Sequence, residues 1–221
     1  MKKYVFTEET SNLYGKTLHR IKAVRDFSNV HVGDLGGFIE DERNLSHDEN
    51  AWVDGEARVD GKARVDGKAW VDGEARVGGN ARVGGDAWVS GKAWVDGNAQ
   101  VDGNAQVKGD AWVGGNALVD GNTVVGGDAL VGGDALVKGD ALIKGTRDIF
   151  WISHIGSRDG TTTFFRNADN GISVSCGCFY GTIDEFAAAV TKTHGDNEHA
   201  QAYRHAIEIA KLRIKLGAAE S

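Results

Sequence analysis

The chain contains no proline, only two cysteines and one methionine in 221 residues, and no apolar run approaches the eighteen or so residues a membrane span needs. Without proline it cannot be collagen-like, although glycine is abundant. Cys176 and Cys178 lie two apart and cannot build a disulfide framework, which fits a reducing compartment. The opening MKKYVFTEET lacks the apolar stretch of a signal peptide. These absences predict a cytoplasmic protein with no membrane partner. Lys and Arg number 25 against 32 Asp and Glu, and the resulting net charge of −7 argues against a general nucleic-acid binder, whose domain is normally basic.

What is present is glycine, 32 residues of it, and it is periodic. It falls on every sixth position from Gly55 to Gly145, sixteen times without a miss. The unit reads Ala-x-Val-x-Gly-x, with alanine from Ala51 to Ala141 broken only by Thr123, and valine from Val53 onward ending in Ile143. In a strand, residues two apart share a face, so alanine and valine point inward and the residue between them points out. Glycine then supplies a turn where φ can be positive. So short a strand buries its valine only if successive strands wrap into a coil that stacks about 4.8 Å from the next. Three sides per coil close it, and the sixteen units give roughly five coils.

Val53-Asp54-Gly55-Glu56-Ala57 and most later units resemble the hexapeptide-repeat left-handed parallel β-helix superfamily. The resemblance implies the hand, to which periodicity is blind; right-handed bactofilin-like polymers have similar repeats and stand as the rival. The run from Leu18 to Val53, LHRIKAVRDFSNVHVGDLGGFIEDERNLSHDENAWV, resembles the leader of uncharacterised bacterial and phage hexapeptide proteins, some labelled acyltransferases. Acyltransferases of that superfamily use a histidine beside a loop that interrupts the solenoid. Here no histidine occurs from residue 48 to residue 153 and no repeat carries an insertion. His47, in the cap, is the weak catalytic alternative, and no cofactor is implied.

The outward positions sort by eighteen into three faces. One carries Trp52, Trp70, Trp88, Gln106, Val124 and Leu142; the next Arg58, Arg76, Trp94, Trp112 and Leu130; the third Arg64, Arg82, Gln100, Leu118 and Leu136. The tryptophans and the collar of Leu118, Leu130, Leu136 and Leu142 need a cover. Sister subunits, the C-terminal module and a ligand compete for it, and the leading expectation is a homotrimer. The arginine stripes, bordered by Asp and Glu turns, read as salt-bridged solvated faces.

The chain divides into an N-terminal β cap (1–50), the solenoid (51–146) and a C-terminal α+β module (147–221). In the cap, Lys3 to Thr7, Thr17 to Asp26 and Val30 to Ile39 read as β segments around turns at Gly15, Ser28-Asn29 and Gly36-Gly37. Ile39 and Leu45 keep the six-residue step before a two-residue slip brings Val53 into phase. In the module, Asp148 to Ile155, Thr161 to Arg166 and Ile172 to Tyr180 read as three strands. Thr182 to Glu185 is a capping box opening a helix that Gly195 stops, and a second helix spans Asn197 to Leu216. The stretches FWISHIGSRDGTTTFF and GISVSCGCFYGTIDEF resemble a module found after β-solenoids in phage and prophage proteins. The fold class is therefore mainly β: a three-sided left-handed parallel β-helix followed by a small α+β domain.

Cys176-Gly-Cys178 has the wrong spacing for a zinc knuckle, so packed free thiols and no metal are expected. The candidate ligand site is His154-Ile-Gly-Ser157-Arg158-Asp159-Gly160, with Arg166 on the next strand. A glycine-serine turn with two arginines suits a phosphate or carboxylate. The expected function is a non-catalytic trimeric scaffold that blocks a host protein or sequesters a small anionic, nucleotide-like signal.

Overall fold

The computed structural model describes residues 2–216, so residues 1 and 217–221 of the ranges above lie outside the described residues. Each repeat folds as a two-residue strand made of the outward residue and its valine, and sixteen of them, β4 (Trp52–Val53) to β19 (Leu142–Ile143), follow at intervals of six. Strands eighteen residues apart pair in parallel, Val53 with Val71 and Val71 with Val89, so each coil has three sides. The alanine and valine columns are at most 2% exposed. Thr123, the break in the alanine column, is buried as well, and its hydroxyl is satisfied by donating to the Asp120 carbonyl at 2.7 Å.

Fifteen of the sixteen turn glycines have φ between 58° and 77°, which β-carbon-bearing residues avoid. Stacking adds a second reason: a Cβ on Gly67 would lie 2.8 Å from the Gly85 carbonyl oxygen of the next coil. Two turn edges carry side-chain ladders. Asn80 donates to Asn98 at 2.8 Å, Asn98 to Asn116 at 2.9 Å, and Asn116 to Asp134 at 2.8 Å. On another edge Asn104 donates to Asn122 and Asn122 to Asp140.

The solenoid is longer than its repeats. The cap forms an antiparallel hairpin, β1 (Tyr4–Leu13) and β2 (Lys16–Ala23), and β3 (Leu35–Ile39) pairs antiparallel with β2 but parallel with β5 (Arg58–Val59). Ile39 lies against Val59 and Leu45 bridges Val65, so the cap contributes the first rung on two faces and brings them to the six rungs that the Trp52 face has from repeats alone. Gly36 and Gly37 are not a turn. They lie inside β3, where a Cβ would meet the Val53 carbonyl oxygen at 2.5 Å and that of Ala57 at 2.6 Å. Close approach of two backbones, not chain reversal, is what needs glycine there. Beneath the cap, Trp52 is 1% exposed, packed edge-on to Phe27 and Tyr4. The buried Lys3 ammonium donates to the Ala51 carbonyl at 2.6 Å.

The C-terminal module is a four-stranded antiparallel sheet, β20 (Ile149–Ile155), β21 (Gly160–Arg166), β22 (Ile172–Cys176) and β23 (Phe179–Thr182), with helices α1 (Ile183–His194) and α2 (Glu198–Arg213). The expected third strand is two, because Gly177 (φ 56°) and Cys178 reverse the chain. Thr182 caps α1 as the capping box requires, Gly195 ends it, and Asn197 caps α2. Alternation along β21 divides its neighbours: Phe165 joins the solenoid core while Phe164 joins the helices. The Leu136 N–H donates to Thr163 Oγ1 at 3.0 Å and the Ala168 N–H to the Asp140 carbonyl at 2.9 Å, fixing the module across the last coil. No helix among the described residues is long and apolar enough to cross a membrane.

Candidate functional site

From the end of β20 to the start of β21 the chain passes through three left-handed residues, His154 (φ 58°) within the strand and Gly156 (φ 76°) and Asp159 (φ 51°) in the turn. The register of the hairpin shifts there, between Ile152 and Ile155, which swings the loop away from the sheet. His154 Nδ1 lies 3.0 Å from Asp159 Oδ2, a contact that closes the loop on itself. That carboxylate raises the His154 imidazole above its ordinary range, and the Asp134 charge adds to the effect. Gly156 has no alternative at its position, because a Cβ would lie 1.9 Å from the Tyr203 hydroxyl oxygen.

This loop forms one wall of a cleft of about 670 Å³. The turn after β22, the inner face of α1, and Asp134 and Leu136 of the last coil form the others. Its floor is aromatic: the Phe186 ring lies 5.2 Å from Phe179 and 5.4 Å, edge-on, from Tyr203. Thr162 donates to Cys176 Sγ at 3.1 Å, and that sulfur is 3.7 Å from the Tyr203 hydroxyl. Burial, then Cys176, push the Tyr203 phenol well above its ordinary value, so it stays a neutral donor. Arg158 stands on the rim and forms no hydrogen bond or ion pair among the described residues. The cleft thus joins the Arg158 guanidinium to an aromatic floor, with Cys176, Cys178 and His194 also on its lining.

Of the residues the sequence singles out for this site, Ser157 and Arg158 line the cleft and His154 braces the loop behind them. Arg166 is not with them. Extended β21 separates it from Arg158 by about 20 Å, and its Nη1 faces Asp148 Oδ1 at 3.8 Å, so no two-arginine pocket forms. Cys176 packs against Thr162 and Tyr203, but Cys178 is exposed in the turn rather than lying beneath the helices. No group of three or more metal-ligating side chains occurs among the described residues. His47 is remote from the cleft. Its ring stacks on Tyr4 at 4.2 Å, and burial lowers its imidazole.

Tyr203 shows in the sequence only as a core position of a helix, and Asp134 looks like every other turn aspartate; only the fold brings them to one cavity. The outward columns divide as well. Trp52 is sealed under the cap and is not available to a sister chain, because Phe27 and Tyr4 already cover it. Trp70, Trp112, Leu118, Leu136 and Leu142 are half-buried, whereas Trp88, Trp94 and Leu130 are 45%, 42% and 43% exposed. The arginine stripes are not salt-bridged: among the described residues none of Arg58, Arg64, Arg76 and Arg82 forms an ion pair. Neighbouring acids are engaged elsewhere, Asp60 by Lys16 and Glu56 by Arg20.

A family model described as YdcK Beta solenoid repeat matches residues 75–95, a little more than one coil. No curated protein matches the chain. The likeness agrees with the parallel β-solenoid, and it extends neither to the cap nor to the C-terminal module.

Proposed function

We propose that the chain is a non-catalytic binding protein in which a rigid solenoid presents a C-terminal module to a small anionic ligand with a planar apolar body, such as a nucleotide. The observation that carries this reading is Arg158, unpaired on the rim of a cleft floored by Phe179, Phe186 and Tyr203. A guanidinium takes a phosphate or carboxylate, and the rings take the planar part. Exposed Trp88, with Trp70 one rung below on the same face, supports side-by-side association into a homotrimer. The resemblance to left-handed hexapeptide proteins and to phage modules accords with a protein that blocks a host factor or sequesters a signal. Acyl transfer draws no support from the site, since His47 lies in the opposite end of the molecule, against Tyr4.

Native mass spectrometry of protein taken directly from cells tests both parts. The expected result is a trimer carrying a few hundred extra daltons that leave on denaturation, with the extra mass gone in Arg158→Ala. Extra mass retained in Arg158→Ala would remove the proposed site, and a monomer would remove the trimer.

A further inference from the structure

One solenoid face stacks Arg58, Arg76, Trp94 and Trp112 in a single in-register column. Parallel pairing places Arg58 and Arg76 on adjacent rungs about 4.8 Å apart, and like charges in that relation repel. Arg64 and Arg82 repeat the arrangement on the next face. Arg58 and Arg76 are half-buried, and Arg58 Nε is shielded from solvent without a hydrogen-bond partner. Among the described residues Arg76 hydrogen-bonds through its side chain only to the Tyr14 hydroxyl, 3.3 Å from Nη1. Two half-buried and two exposed guanidinium groups stand in register without an ion pair among the described residues, and a polyanion laid along them would neutralise the repulsion.

The same column says which polyanion. Directly above Arg76 comes Trp94, exposed, and beside Arg76 stands Tyr14, 81% exposed at the tip of the cap hairpin. Cations that follow a backbone next to rings that stack on flat groups are what a single strand of nucleic acid uses. A polymer of carboxylates would leave the rings idle. We propose that this face is a second binding surface, independent of the cleft, for single-stranded nucleic acid. Arg58 to Trp112 covers four rungs, three steps or about 14 Å, room for two or three nucleotides. Because the chain as a whole is acidic, the binding is local and strongly salt-dependent.

The test is quenching of tryptophan fluorescence in the full chain at low salt by oligodeoxythymidylate of about twelve nucleotides. Saturable quenching is expected, weakened about tenfold in Arg76→Gln and in Trp94→Leu, reduced by added salt, and unchanged in Arg158→Ala. Glutamine and leucine already occupy outward positions at Gln100 and Leu130, so both variants fit the ladder. If Arg76→Gln lowers the melting temperature, Arg58→Gln in the same column carries the same expectation. Absence of quenching overturns the proposal. So does inorganic polyphosphate or polyglutamate binding as tightly as the oligonucleotide while Trp94→Leu has no effect.

Discussion

A buried ammonium sets the pH response of the N-terminal cap. Burial, and then the charge of Arg25, push Lys3 from 10.5 down to about 8, against the opposing pull of Asp48 and Glu49. Between those values the unfolded chain holds a proton that the folded chain has released, so stability rises with pH above about 8. By about pH 9.5 the gain is about 2 kcal/mol. Tyr4 acts the other way. Its buried phenol is raised, so unfolding is favoured once the unfolded phenol ionises near 10. Urea unfolding at about pH 7.5 and about pH 9.5 is therefore expected to show a more stable protein at the higher value, and Lys3→Met to erase the difference. A glycine pair makes the second residue-scale prediction. Gly67→Ala, with φ 65° and Gly85 2.8 Å away, is expected to cost about 2 kcal/mol. Gly126→Ala meets nothing closer than the flexible Lys108 side chain at 3.4 Å and is expected to stay within about 1 kcal/mol, both variants being compared by thermal melts.

Among the elements, β21 carries the most strain of purpose, since one strand closes the solenoid with Phe165 and founds the helical core with Phe164. Phe165→Ala empties a fully buried site at the end of the coil stack and is expected to cost about 4 kcal/mol. Calorimetry would check it, and a loss under about 1 kcal/mol would show that the module does not seal the coils. Legibility follows the same division. The coil, its three faces and the N-terminal cap of the first helix are readable because each is fixed within six residues by Ala, Val and Gly or by Thr182 and Glu185. Gly36-Gly37 misleads because glycine serves chain reversal and backbone contact alike, and the second role depends on Val53 and Ala57. The cleft is only half legible. Ser157 and Arg158 are marked by their turn, but Tyr203 and Asp134 reach it through the docking of Leu136 on Thr163, which no local pattern announces.

For the whole molecule, the two proposed surfaces lie on different parts of the chain: the cleft at the module, the arginine and tryptophan column on the coils. The two sets of residues do not overlap, so saturating either surface is expected to leave the affinity of the other unchanged in a paired titration. The strict register of eighteen has a further effect. Chain length between cap and module is read out as an angle. Deleting residues 79–96 removes one full circuit and leaves the cleft above its present face; deleting residues 79–84 moves it one face onward, a third of a turn. Crystal structures of the two deletions would read the angle directly, and a module still above its original face after the six-residue deletion would refute the rule. Such a chain can change the bearing between its two ends by whole sides of the prism without altering any contact that either end makes.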